Sequence, residues 1–226
     1  MKDAQQRPIE TPSEFARAFS VSHETMEKLE IYERLLLQWQ KAVNLVAPKS
    51  LDALWQRHFA DSAQLLPLAK NPQVWADLGS GGGFPGLVIA IMLANQKECE
   101  VHLIESNGRK CAFLSEAARQ TEAPVRIHNM RIAEAASSGA IPKADIVSAR
   151  ALAPLDALLE LAQPYFGDAS AGLFLKGREA ASEIAEAQKR WKFDLRSHPS
   201  LSEPDGRILE IRKPKLQPKL SRGGEQ

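Results

Sequence analysis

Between residues 77 and 86 the chain reads Asp77-Leu-Gly79-Ser-Gly81-Gly-Gly83-Phe84-Pro-Gly86, with five glycines in its last eight positions. A short apolar stretch, residues 74–78, precedes it, and an uncharged apolar stretch follows it. Glycines at a strand-to-helix turn admit positive φ and let a bound molecule approach the backbone closely. A plain turn needs one glycine. Five of them place a ligand-binding loop at the carboxyl end of a first strand, opening a βαβ unit.

The rest of the pattern agrees. Residues 74–78, 100–105, 125–128, 145–148 and 173–176 read as short buried strands, separated by helical spacing over 87–94, 109–120, 152–161 and 179–191. Residues 192–195 and 208–212 read as an antiparallel pair at the sheet edge. Strands alternating with helices predict a Rossmann-like, doubly wound α/β domain over about 73–213, with a mostly parallel sheet. Before it lies a helical cap, residues 1–72. There Leu29, Tyr32, Leu36, Trp39 and Val43 form one stripe of a helix over 22–43 with Ser22 as N-cap, and a second helix is expected over 50–66. The tail, 214–226, is rich in Pro, Gly and Lys and is expected to be disordered.

Two nucleotide cofactors compete for the loop. Gly81-x-Gly83-x-x-Gly86 matches the dinucleotide fingerprint, and Glu105 ends the second strand where a carboxylate could bond ribose hydroxyls. Both nucleotides suit that acid. Asp77 favours one of them: a carboxylate at a pyrophosphate site adds repulsion, whereas an ammonium and a sulfonium are attracted. Pro85 removes a further backbone donor. The residues therefore favour S-adenosylmethionine over NAD(P).

A wider set of residues resembles a known family. Asn44-Leu-Val, Arg57-His58-Phe-Ala-Asp61-Ser62, DLGSGGGFPG, Leu103-Ile-Glu105-Ser106, Lys110, Phe113-Leu, Ser148-Ala-Arg150-Ala and Leu175-Lys176-Gly occur in the order seen in the RsmG (GidB) family of bacterial small-subunit rRNA guanine-N7 methyltransferases. The resemblance covers about residues 40–213. It implies a class I S-adenosylmethionine-dependent enzyme. Its substrate would be N7 of a guanosine in the 530 loop of 16S rRNA, conventionally position 527, within the 30S subunit. It also implies that Gly79 and Phe84 line the cofactor site, that Ile132 and Ala133 flank the adenine, and that Arg150 lies at the site. The alternatives are an NAD(P)-dependent oxidoreductase, or a non-catalytic RNA-binding protein of the same fold.

Guanine N7 has a lone pair and no proton, so its methylation requires alignment and no general base. No acid–base dyad is evident. Ser62, His58 and Asp61 invite a hydrolase triad, but one helical turn does not give the convergent geometry a triad needs. Arg150, Lys176 and His58 are the candidate catalytic residues, and Gly79, Gly81, Phe84, Asp77, Glu105, Ile132, Ala133 and Arg150 the candidate cofactor-binding ones. Arg150 and Lys176 could contact RNA phosphate or the cofactor carboxylate, or be internally paired. His102 and His128 read as core or edge residues rather than ligands. No metal site is assigned.

Charge and composition bound the partners. There are 29 Lys and Arg against 28 Asp and Glu, so bulk charge alone does not hold nucleic acid. A local excess exists at residues 207–222, with six basic residues and one acid. The longest uncharged apolar run, 84–94, is too short for a bilayer, which takes about 20 residues. No secretory signal is evident at the N-terminus. The two cysteines form no disulfide framework. A cytoplasmic, monomeric protein with reduced thiols is expected.

Overall fold

In the computed structural model, which describes residues 8–94 and 99–218, the first strand is β1 (Val74–Leu78) and the glycine loop follows it directly. β2 (Glu100–Glu105), β3 (Val125–Asn129), β4 (Ala144–Arg150) and β5 (Phe166–Lys176) pair in parallel around it. β7 (Arg207–Leu216) runs antiparallel to β5, and β6 (Trp191–Pro199) antiparallel to β7. The order is β3-β2-β1-β4-β5-β7-β6. β1 thus has β2 on one side and β4 on the other, which makes the carboxyl end of β1 the topological switch point.

Helices cover both faces, which explains why β1 and β4 are buried along most of their length. On one face α4 (Gly86–Met92) and α5 (Gly108–Thr121) pack with the cap helices α1 (Pro12–Phe19) and α2 (His23–Trp39), and Phe15, Leu29, Tyr32, Leu36, Leu87 and Phe113 share one core. On the other lie α6 (Ile132–Ser138), α7 (Leu155–Ala162) and α8 (Ala180–Ala187). Among the described residues no helix is long and apolar enough to cross a membrane.

Several expected boundaries move, each for a local reason. α2 starts where Ser22 caps it, Oγ accepting from the Thr25 amide at 3.3 Å, but it stops at Trp39. The Gln40 side chain then takes over, accepting from the Leu45 and Val46 amides at 2.9 and 3.1 Å and donating to the Val46 carbonyl at 2.9 Å. The single helix expected over 50–66 is instead a 3-10 segment (Pro48–Ala53), a π segment (Trp55–Ala60) and one turn of α-helix, α3 (Asp61–Ala63). The backbone at the junction residues Leu54, Ala60 and Asp61 stays right-handed helical, so only the hydrogen-bond register changes. The Ser62 hydroxyl bonds back to the His58 carbonyl at 2.6 Å, which competes with the regular ladder.

α7 begins after Pro154, because a residue before proline avoids the helical region and Ala151 stands at φ 51°. α8 ends at Ala187, and Trp191 opens β6 with its indole donating to Asp156 Oδ1 at 2.9 Å. β7 continues to Leu216, paired with Trp191, so residues 214–216 belong to the sheet rather than to a disordered tail. Lys219 and Arg222 lie outside the described residues.

Candidate active site

The loop is tied down by its own carboxylates. Gly79 and Ser80 amides bond the Ile104 carbonyl at 2.9 and 3.0 Å, which continues the β1–β2 ladder into the turn. Gly79, Gly81 and Gly83 then stand at φ 68°, 56° and 93°, a region that favours glycine. The Gly81 amide donates to Glu105 Oε2 at 3.0 Å, and the Gly86 amide, at the start of α4, donates to Asp77 Oδ2 at 3.1 Å. The Gly83 and Phe84 amides donate to the Ser80 carbonyl. A phosphate cradle needs those amides free and pointing at the ligand. Here two carboxylates already occupy the two best placed.

Asp77 is fully buried beneath the loop and is not part of the lining of the cavity beside it. Its Oδ1 accepts from Ser148 Oγ at 2.7 Å, and Ser148 in turn accepts from the Trp75 indole at 2.8 Å. Burial pushes the Asp77 carboxyl up to about 6, against the hydrogen bonds from Ser148, Ser80 and Gly86 that favour the ion. Asp77 thus braces the start of α4 and β4 through Gly86 and Ser148. In a strand the side-chain direction alternates, and this acid points to the α4 face.

Beside the loop lies a cavity of about 710 Å³, walled by residues 45–47 of the cap, the 55–61 segment, the loop, the β4–α7 connection and the β6–β7 turn. A volume of this size suits a ligand larger than one nucleobase. Of the sequence candidates, Gly79, Gly81, Phe84, His58, Arg150 and Lys176 meet there. Glu105 does not line it but touches the loop, its Oε1 also accepting from the Asn107 amide at 2.8 Å. Ile132 and Ala133 open α6 beyond β3, where the Ile132 carbonyl accepts from Tyr165 at 2.6 Å; they stand outside the cavity.

At the cavity wall, the almost fully buried Phe84 is the hub of an aromatic group. Tyr32 stacks on it with centroids 5.2 Å apart, the His58 ring lies 4.9 Å away, and the Arg150 guanidinium carbon sits 5.2 Å from the ring centroid. Arg150 donates through Nη1 to the Arg57 carbonyl at 3.0 Å, and the same atom is 3.8 Å from Asp61 Oδ2. Only that donor group is engaged among the described residues, so the rest of the fork is available to a ligand.

His58 is buried with Nε2 2.7 Å from Ser50 Oγ, and its Nδ1 has no partner among the described residues. Burial, helped by Arg150 and Arg57, pushes it down to about 3, so the imidazole is neutral at pH 7. Lys176 is committed elsewhere: its ammonium donates to the Ala153 carbonyl and pairs with Glu183, both at 2.6 Å, and so braces the β4–α7 connection. His102 and His128 bond each other at 3.0 Å on β2 and β3, away from the cavity.

Three contributors escaped the sequence reading. The Tyr32 hydroxyl donates to the Gly82 carbonyl, tying α2 to the loop. Leu152 lies against Gly79, where an added Cβ would come within 2.7 Å of its Cδ1. The β6–β7 turn supplies Ser200, Ser202, Glu203 and Gly206 to the wall. Tyr32 was legible only as a core position, and the turn only as a polar break between strands.

A mostly parallel sheet of this order, with a glycine loop at its switch point, is the fold of class I methyltransferases. Two solved structures agree at the level of fold. An O-methyltransferase from Bacillus cereus in complex with SAH aligns with TM-score 0.56 at 14% identity, covering 80% of this chain and 90% of that one. A fibrillarin/Nop5p complex aligns with TM-score 0.53 at 12% identity, covering 67% and 80%. At the level of sequence, the GidB profile, described as rRNA small subunit methyltransferase G, matches residues 25–208. The chain is 50% identical over 199 residues to the ribosomal RNA small subunit methyltransferase G of Parvibaculum lavamentivorans, covering 88% of this chain and 87% of that protein. It is 47% identical over 216 residues to the protein of the same name from Paramagnetospirillum magneticum, covering 95% and 98%. The chain belongs to the GidB family.

Proposed function

We propose that this protein transfers a methyl group from S-adenosylmethionine to N7 of a guanosine in the 530 loop of 16S rRNA, position 527 by convention, within the 30S subunit. The names of its relatives support a small-subunit rRNA methyltransferase. The observation that carries the choice of cofactor is the loop itself. With Gly81 bound to Glu105 and Gly86 to Asp77, its amides face fixed negative charge. A pyrophosphate would have to displace both, whereas a ligand carrying an ammonium and a sulfonium is attracted.

Gly79, Gly81 and Phe84 would hold the donor, Glu105 its ribose, and Ile132 and Ala133 its adenine along the β2–β3 edge. When bound, the donor supplies a methyl on a positively charged sulfur, which the N7 lone pair takes while the S–C electron pair stays on sulfur. No proton moves, so the chain needs no general base. Its residues orient and exclude water. The neutral His58 adds no positive charge beside a purine that becomes cationic, and Phe84, almost fully buried, backs the wall on which Arg150 rests. Arg150, with most of its fork available, would meet a carboxylate or a phosphate.

Gly79→Asp tests the site. Its Cβ would press on Leu152, at a backbone φ of 68°. Titration calorimetry is expected to show donor binding to the wild type, none to the variant, and no binding of NAD to either. Unchanged donor affinity in the variant would place the ligand elsewhere.

A further inference from the structure

The cavity wall away from the glycine loop is the turn between β6 and β7, and one side chain of the cap fastens it. Asp61 Oδ1 accepts from Ser202 Oγ at 2.6 Å, from Gln64 Nε2 at 2.7 Å and from Ser200 Oγ at 3.3 Å. Gln64 Oε1 accepts from the Leu201 amide at 2.8 Å. The other oxygen, Oδ2, faces Arg150 Nη1 at 3.8 Å, and the two side chains are 14% and 19% exposed. One carboxylate therefore touches both the turn and the arginine beside Phe84.

The rest of the turn has few holds. Leu201 is 40% exposed, and Pro204 and Asp205 are exposed. Arg57 lies 3.8 Å from Glu203, with both side chains about half exposed, so that pair contributes little. Gln56 reaches the Ser202 carbonyl at 3.3 Å. The shortest contacts converge on Asp61 and Gln64. Bonds to a shielded carboxylate are stronger than those between neutral groups, and a network shared by several donors responds as a unit.

We propose that Asp61 is a positioning residue that sets two walls of the site at once: through Ser200 and Ser202 it docks the 200–206 turn as the wall met by the RNA, and through Oδ2 it holds Arg150 against Phe84. The identity of the substrate rests on the reading above, but the clasp does not. Breaking only the turn's side should loosen the grip on RNA and spare the donor. Removing the negative charge should also disturb Arg150.

The test is the double variant Ser200→Ala with Ser202→Ala, beside Ser202→Thr, which keeps a hydroxyl, and Asp61→Asn. For the double alanine variant, KM for 30S subunits should rise about tenfold, while the donor Kd from calorimetry stays within about twofold. Amide exchange over 200–206 should accelerate. Ser202→Thr should stay near wild type, and Asp61→Asn should weaken donor and RNA together. Wild-type exchange and KM in the double alanine variant would overturn the proposal, as would an equal loss of donor and RNA affinity. Exchange is read without any substrate. A wild-type protein that labels no rRNA would therefore sink the functional reading alone.

Discussion

At the scale of single residues, what the loop can bind is decided by where Asp77 and Glu105 point. Both lie at strand ends, and both spend an oxygen on a loop amide. The sequence revealed the acids and their strand positions. It did not reveal that Asp77 faces inward, because that depends on packing against Gly86 and Ser148 across the sheet. His58 was likewise visible as a residue of interest, but its state was not: burial, helped by Arg150 and Arg57, keeps it neutral. That state has a consequence for stability. The folded protein holds His58 with its pKa down at about 3, against 6.5 for the free side chain. The stability it contributes is therefore present above pH 6.5 and is lost as pH falls toward 3. Asp77 works the other way: with its pKa up at about 6 against 3.8, its contribution is present below 3.8 and fades as pH rises through 6. Urea unfolding of wild type and His58→Phe at several pH values isolates the first. The free-energy advantage of wild type over the variant should shrink as pH drops from 6.5 to 5, by up to about 1.4 kcal/mol per unit. An advantage independent of pH would mean that the imidazole is not shielded as described.

At the scale of elements, the loop is held from both sides. The sheet holds it through Ile104 and Glu105, and the cap holds it through Tyr32, whose ring stacks on Phe84 and whose hydroxyl bonds Gly82. Tyr32→Phe keeps the stacking and deletes the bond, leaving a buried carbonyl unpaired. It should cost about 1–3 kcal/mol of unfolding free energy and weaken donor binding, as read by urea melts and calorimetry. A variant equal to wild type in both would mean that the cap does not set the loop. The strands and the α2 stripe were legible because period and burial are local properties. The broken helix at 48–63 was not, since its dihedrals stay helical while its hydrogen bonds change register. The end of α8 and the lengths of β5 and β7 were misjudged for a related reason: Trp191 opens β6 where the helical spacing still runs on, and pairing of β5 with β4 and β7, and of β7 with β6, lengthens strands whose own apolar runs are short.

At the scale of the whole molecule, cap, sheet and β6–β7 turn close around one cavity, although their residues lie more than a hundred positions apart in sequence. Contacts such as Asp61 with Ser202 have no local signature, which is why that wall could not be read in advance. The same cavity gathers Arg57, Lys110 and Arg207 at its lining in a chain whose net charge is only +1. Asp61, Glu183 and Glu203 line it as well, so on the proposed function any attraction for RNA rests on the individual basic groups and not on a uniformly positive surface. Lys110→Gln and Arg207→Gln should each weaken RNA binding at every sequence tested. Each should also lower the slope of log affinity against log salt by about 0.7. Unchanged slopes would remove these two residues from the RNA path.

The most direct test of the account is mass mapping of 16S rRNA from cells with this protein, from cells without it, and after incubation of undermodified 30S subunits with the purified protein and labelled donor. The account predicts one methyl group on N7 of a single guanosine in the 530 loop, lost without the protein and restored in vitro. A methyl group on another atom or another RNA, or an unchanged map without the protein, would contradict it.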